Sequence, residues 1–137
     1  MAPWPLSTAF PLTLLGSIAL IVAFDAAAAW LTRGNPAIYR RVWPVQFGLY
    51  VLIGFVAMLT LLDLGLVQIV GALTGLVEAT AGWWITWRIG PGRIPKANVV
   101  SIGIVVLSMT AFGFGFAIAG ALLFNAVAGA MLRAHGT

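Results

Sequence analysis

The chain has 137 residues, 62% of them hydrophobic and only 7% charged, with a net charge of +4 and a mean hydropathy of +1.09. Soluble domains carry about 25% charged residues, so this composition excludes a water-soluble fold and predicts an all-α, polytopic integral membrane protein. At about 20 residues per crossing, the length allows four or five spans and leaves no room for a separate soluble domain.

The scarce chemistry narrows the function further. Cysteine is absent, which removes disulfides, thiolate metal sites and cysteine nucleophiles. The one histidine, His135, lies next to the C-terminus, and the one lysine, Lys96, lies in a loop. Haem ligation through histidine and a retinal Schiff base are both excluded, and no cofactor, metal or enzymatic activity is expected. The sequence offers no paired acid and base, no nucleophile elbow and no metal cluster. Despite the high pI, it shows no nucleic-acid module.

In chain order, residues 1–8 (MAPWPLST) read as an irregular lead-in with Trp4 as an interfacial anchor. The first span is predicted at about residues 10–31. A signal peptide is disfavoured, because the apolar stretch is long and no Lys or Arg precedes it. Residues 32–42 (TRGNPAIYRRV) form a basic loop, and the second span is predicted at 43–62 with Pro44 in its first turn. Gln46, Tyr50, Ile53, Ala57 and Thr60 share one side of it. Asp63-Leu64-Gly65 reads as the tip of a tight hairpin. The third span is predicted at 66–87 and ends in the basic stretch RIGPGRIPK. The fourth is predicted at 98–123, with Ser101, Ser108, Gly115 and Leu122 spaced by seven as a packing seam. The expected architecture is one domain, 1–137, folded as a bundle of four transmembrane helices.

Six of the seven basic residues lie in the first and third loops. The positive-inside rule therefore places these loops in the cytoplasm and both termini outside, in a cell (inner) membrane. The basic loops are suited to anionic lipid headgroups.

The third span carries the sharpest signal. At 100° per residue, Gln68, Gly71, Thr74, Gly75, Glu78, Gly82 and Thr86 fall on one side, and Trp83, Trp84 and Trp87 on the other. Glu78 is then a carboxylic acid near the midplane, where insertion costs about 2.5–3.5 kcal/mol and the neutral acid is favoured. The expected proton or small-cation site is Glu78 with Thr74, Gln68 and Asp25 in support. Asp25, close to the cytoplasmic end of its span, is expected to be reached by water or by Arg33. Tyr50 and Gln46 are alternative partners for it. Gly71, Gly75, Gly82 and Gly115 are read as helix-packing positions, and Trp30, Trp43, Trp83, Trp84 and Trp87 as an aromatic belt at the membrane interface.

The segments Asp25-AAAA-Trp30 and Glu78-ATAG-Trp83 share a pattern. A duplicated hairpin would explain it, although tryptophan followed by basic residues is general at an interface. Small multidrug transporters share the span count, but their membrane glutamate lies in the first span, so no family is assigned. Two functions fit the sequence. One is transport or permeation of a proton or small cation with Glu78 as the titrating group. The alternative is an accessory or assembly subunit in which Glu78 and the glycine faces serve packing. In either case a homo-oligomer or a larger membrane complex is expected.

Overall fold

The computed structural model describes residues 4–90 and 99–135, without the side chains of Pro36, Arg40 and Trp43. Among the described residues the fold is all-helical. Helix α1 spans Leu6–Thr32, α2 Pro36–Leu61 and α3 Leu64–Val77. A π-helical turn, Glu78–Gly82, leads into α4, Trp83–Ile89, and α5 runs over Val99–His135. The third candidate crossing is thus α3, the π turn and α4 in series. Four helical segments are long and apolar enough to cross a membrane.

Local chemistry sets the element ends. The Asn35 side chain accepts hydrogen bonds from the backbone N–H of Ala37 (3.0 Å) and Ile38 (3.3 Å), capping α2 at its start. This N-cap starts the helix seven residues before Trp43, so Pro44 lies inside α2 rather than in its first turn, and the basic loop shrinks to Arg33–Asn35. At the other end of α2, Leu62 turns the chain with φ 53°. Asp63 then caps α3 by accepting from Leu66 N–H at 2.9 Å. The hairpin tip is therefore Leu62–Asp63, with Gly65 already helical.

Packing is organised by α2 and α3. Both touch α5, and both touch α1, while α1 and α5 do not meet among the described residues. Glycines let the backbones approach closely. A Cβ on Gly71 would lie 2.5 Å from both Ala117 Cβ and the Gly113 carbonyl oxygen, and one on Gly75 would strike the Met109 carbonyl. Gly54 and Gly120 make the matching contacts between α2 and α5, where Phe47 also stacks on Phe116 with centroids 4.7 Å apart. Such small-residue contacts are how helices gain dispersion where burial from water cannot drive association.

The seam on α5 is not the one expected. Gly115 is exposed with open space where its Cβ would be, and Leu122 is exposed. The buried line is Gly113, Ala117, Gly120 and Ala121. Both lines are rich in small residues, and the one used is the line that α2 and α3 meet with glycines of their own. Helix α5 also continues past 123 without interruption to His135. Its 37 residues make a rod about 55 Å long. The stretch 91–98, with Arg93 and Lys96, lies outside the described residues.

Candidate functional site: two buried acids on one glutamine

Every face residue expected on the third crossing is buried except Gln68, which is half-buried. Glu78 retains only 3% exposure, and Asp25 the same. The two acids meet on a residue of α2. Gln46 Nε2 donates to Asp25 Oδ1 at 2.7 Å and to Glu78 Oε1 at 2.6 Å. A primary amide nitrogen carries two protons, so one goes to each acid and the amide is fully spent as a donor. The Tyr50 hydroxyl, one turn along α2, donates to Glu78 Oε2. Glu78 thus accepts on both oxygens, while Asp25 accepts on Oδ1 only among the described residues.

Asp25 differs from its expected setting. It is not an interfacial acid steadied by Arg33, whose guanidinium lies over the Trp30 ring at 5.3 Å. It is enclosed because α1 packs against both the π turn and α4. Its second oxygen, Oδ2, rests against Gly82, where a Cβ would collide with it. Gly82 is therefore a clearance for a carboxylate, in contrast to Gly71 and Gly75, which make room for a helix.

The π turn accounts for a second departure. Trp83 N–H reaches back five residues to the Glu78 carbonyl, so the turn holds an extra residue relative to an α-helix. On a regular helix Glu78 and Trp83 would stand about 140° apart. The wider turn carries Trp83 back toward the acid, where it is half-buried and lines a cavity instead of facing outward. Trp30, Trp84 and Trp87 remain exposed as a belt residue would be, and Arg88 lies over both Trp84 (5.6 Å) and Trp87 (5.8 Å). The Trp43 side chain lies outside the described residues. The π turn also separates the two repeat-like segments, because Asp25–Ala29 is ordinary α-helix.

The cavity has a volume of about 210 Å³ and is lined by Asp25, Tyr39, Gln46, Glu78, Ala79, Gly82, Trp83, Thr86, Val105 and Met109. Tyr39 lies near the start of α2 and Thr86 near the end of α4, so it extends from the acids toward the end of the bundle that carries Arg33 and Arg88. The Thr86 hydroxyl donates there to the Trp83 carbonyl of its own helix at 2.9 Å. No basic side chain lines it among the described residues. Toward the opposite end, Ile21, Val67 and Val70 are fully buried and Ile53 nearly so, forming a dry apolar layer.

The other expected site residues lie apart. Thr74 is fully buried, but its hydroxyl donates to the Val70 carbonyl of its own helix at 2.7 Å. Gln68 sits near the start of α3, away from the cavity wall. The structure instead brings Asp25, Gln46, Tyr50 and Glu78 together. The signal for the last partners was the Gln46–Tyr50 pair, four residues apart on the polar stripe of α2. No three metal-ligating side chains group together among the described residues. Comparisons with protein-family models, with curated proteins and with solved structures find no significant match.

Proposed function

We propose that the protein mediates transport or permeation of a proton or small cation across a membrane, with Glu78 and Asp25 as the paired carrier groups. The observation that carries this reading is the bridging of two enclosed carboxyl groups by a single amide beside a cavity. Two negative charges so close in an apolar bundle oppose each other strongly, so the pair is a natural place to hold one proton or exchange it for a cation. Intramembrane acids of this kind are costly unless something uses them. The unlike ends of the bundle also support it: a cavity leads to the acids from one side, and a dry layer closes the other.

On this reading the protein resides in the cell membrane, with the basic loops cytoplasmic and both termini outside. The basic loops contact anionic headgroups. The test is flux in proteoliposomes under an imposed pH gradient. Glu78→Gln keeps the shape of the side chain and one of its two acceptor oxygens, and is expected to abolish the flux while the variant still elutes as a folded species. Flux equal to that of the wild type, or none in the wild type, removes the reading.

The assembly alternative draws on a different observation. Helix α5 has open space where a side chain would be at Gly103, Gly115 and Gly129. In an accessory subunit or oligomer, partner helices would pack against these positions, and Glu78→Gln would leave assembly intact.

A further inference from the structure

A proton carrier needs no cavity beyond a water molecule or two. One water occupies about 10–15 Å³ by the measure on which this cavity holds about 210 Å³. The space beside the acids is large enough for a cation of several heavy atoms, and its wall is chemically divided. On one side is Asp25, 3% exposed, whose Oδ2 has no hydrogen-bond donor among the described residues while Oδ1 is held by Gln46. On the other is Trp83. The exposed rings of Trp30, Trp84 and Trp87 already carry an arginine guanidinium. Trp83 carries none among the described residues, although it is the tryptophan that the π turn delivers to the cavity.

We propose that this cavity binds a small organic cation bearing N–H donors, an alkylammonium or guanidinium, with Asp25 Oδ2 as acceptor and the Trp83 ring as its wall. The inference rests on the cation-site reading of the acid pair, and it names the class of cation. Charge balances through the pair. With Glu78 satisfied as an acceptor on both oxygens, the single proton held by the pair resides on Asp25 Oδ2, and the pair carries one negative charge before and after exchange. An incoming monocation takes the place of that proton, which leaves to water. The groups that face Asp25 are Gln46, Tyr39 and Tyr50 from α2 and Glu78 from the third crossing. Helix α5 adds Val105 and Met109, neither of which titrates. Proton and cation therefore compete for one oxygen. The indole face adds affinity for the cation but none for the proton, and the Tyr39 oxygen offers a second acceptor.

The test is equilibrium binding of ethylammonium to the full chain in detergent micelles, with guanidinium and tetraethylammonium as competitors. The expected result is saturable binding that weakens as pH falls. Guanidinium should displace the probe, and tetraethylammonium, which has no N–H, should not. Asp25→Asn, of equal size, should weaken binding at least roughly tenfold. Trp83→Leu should weaken it about tenfold, and Trp83→Phe, which keeps an aromatic face, by less. A wild type that shows Glu78-dependent proton flux but no saturable ethylammonium binding overturns the inference and leaves the transport reading standing. Binding indifferent to both Asp25→Asn and Trp83→Leu, in variants with unchanged helical content, overturns it equally. Binding without any flux upholds this inference and removes the transport reading.

Discussion

At the scale of single residues, the site is a problem in donors and acceptors. Four side chains from three helical segments, Asp25, Gln46, Tyr50 and Glu78, enclose each other; every fully enclosed side-chain nitrogen or oxygen among the described residues has a partner, and Asp25 Oδ2, without a donor among them, is not one of the fully enclosed atoms. Buried polar groups left unpaired cost about 1–3 kcal/mol each, so such a cluster persists only when each acceptor is met by a donor or by the cavity. Gly82 shows how narrow the tolerance is. A Cβ there would collide with Asp25 Oδ2 and approach Glu78 Cγ to 3.4 Å. The obstructing group is the end of a flexible side chain, so Gly82→Ala does not break the fold, and alanine is intrinsically the better helix former by about 1 kcal/mol. What it displaces is the carboxylate. The expected outcome is a thermal midpoint in detergent equal to or above that of the wild type, with flux and ethylammonium binding both lost. A Gly82→Ala variant with full flux would show that Asp25 can leave its place without consequence.

At the scale of helices, two kinds of glycine contact must be told apart. Gly71 and Gly75 meet backbone atoms of α5, which cannot retreat without moving a 37-residue helix. Gly115 meets nothing within 4 Å. Gly75→Leu is therefore expected to lower stability by about 1–3 kcal/mol or more through overpacking. Gly115→Leu is expected to leave the monomer unchanged; both follow from unfolding in mixed micelles. A Gly115→Leu variant that loses an oligomer while its helices stay intact would favour the assembly reading. This contrast was only half legible in the sequence. Periodicity marks Gly71, Gly75 and Glu78 as one face because they lie on one regular helix, where angles can be counted. It cannot choose between two small-residue lines on α5, since that choice depends on which neighbours supply matching gaps. The π turn was equally hidden. Nothing in EATAG departs from helix propensity, and one extra residue within the turn moved Trp83 from the outward face to the cavity. The Gln46 bridge needed the relative heights of three helices, whereas a helix-by-helix reading offered only plausible pairs such as Asp25 with Tyr50.

At the scale of the whole molecule, the bundle has two unlike ends. The end bearing Arg33 and Arg88 opens into the acid-lined cavity. The end bearing Asp63 is closed by the apolar layer of Ile21, Ile53, Val67 and Val70, beyond which Thr13 and Thr60 share a hydrogen bond of 3.1 Å. A second cavity of about 250 Å³, between α1 and α2, begins on the far side of that layer with Ile53 in its wall. Which end faces the cytoplasm decides the direction in which the acids are reached, and the charge bias gives an expectation that can be tested. Among the described residues, Arg33, Arg40, Arg41 and Arg88 at one end cost more to carry across an energised membrane than Arg133 near the other. Since the native chain has no cysteine, single cysteines report cleanly. Gly34→Cys lies in the α1–α2 turn with open space around it, and Leu64→Cys lies on the exposed hairpin. In intact cells, a membrane-impermeant maleimide is expected to label Leu64→Cys and to spare Gly34→Cys until the cells are permeabilised. Labelling of both positions in intact cells would mean insertion in two orientations, and the reverse pattern would place the cavity mouth outside. In that last case the acids would draw protons from the external medium, and the imposed gradient in the flux experiment would have to be inverted to drive the same half of the cycle.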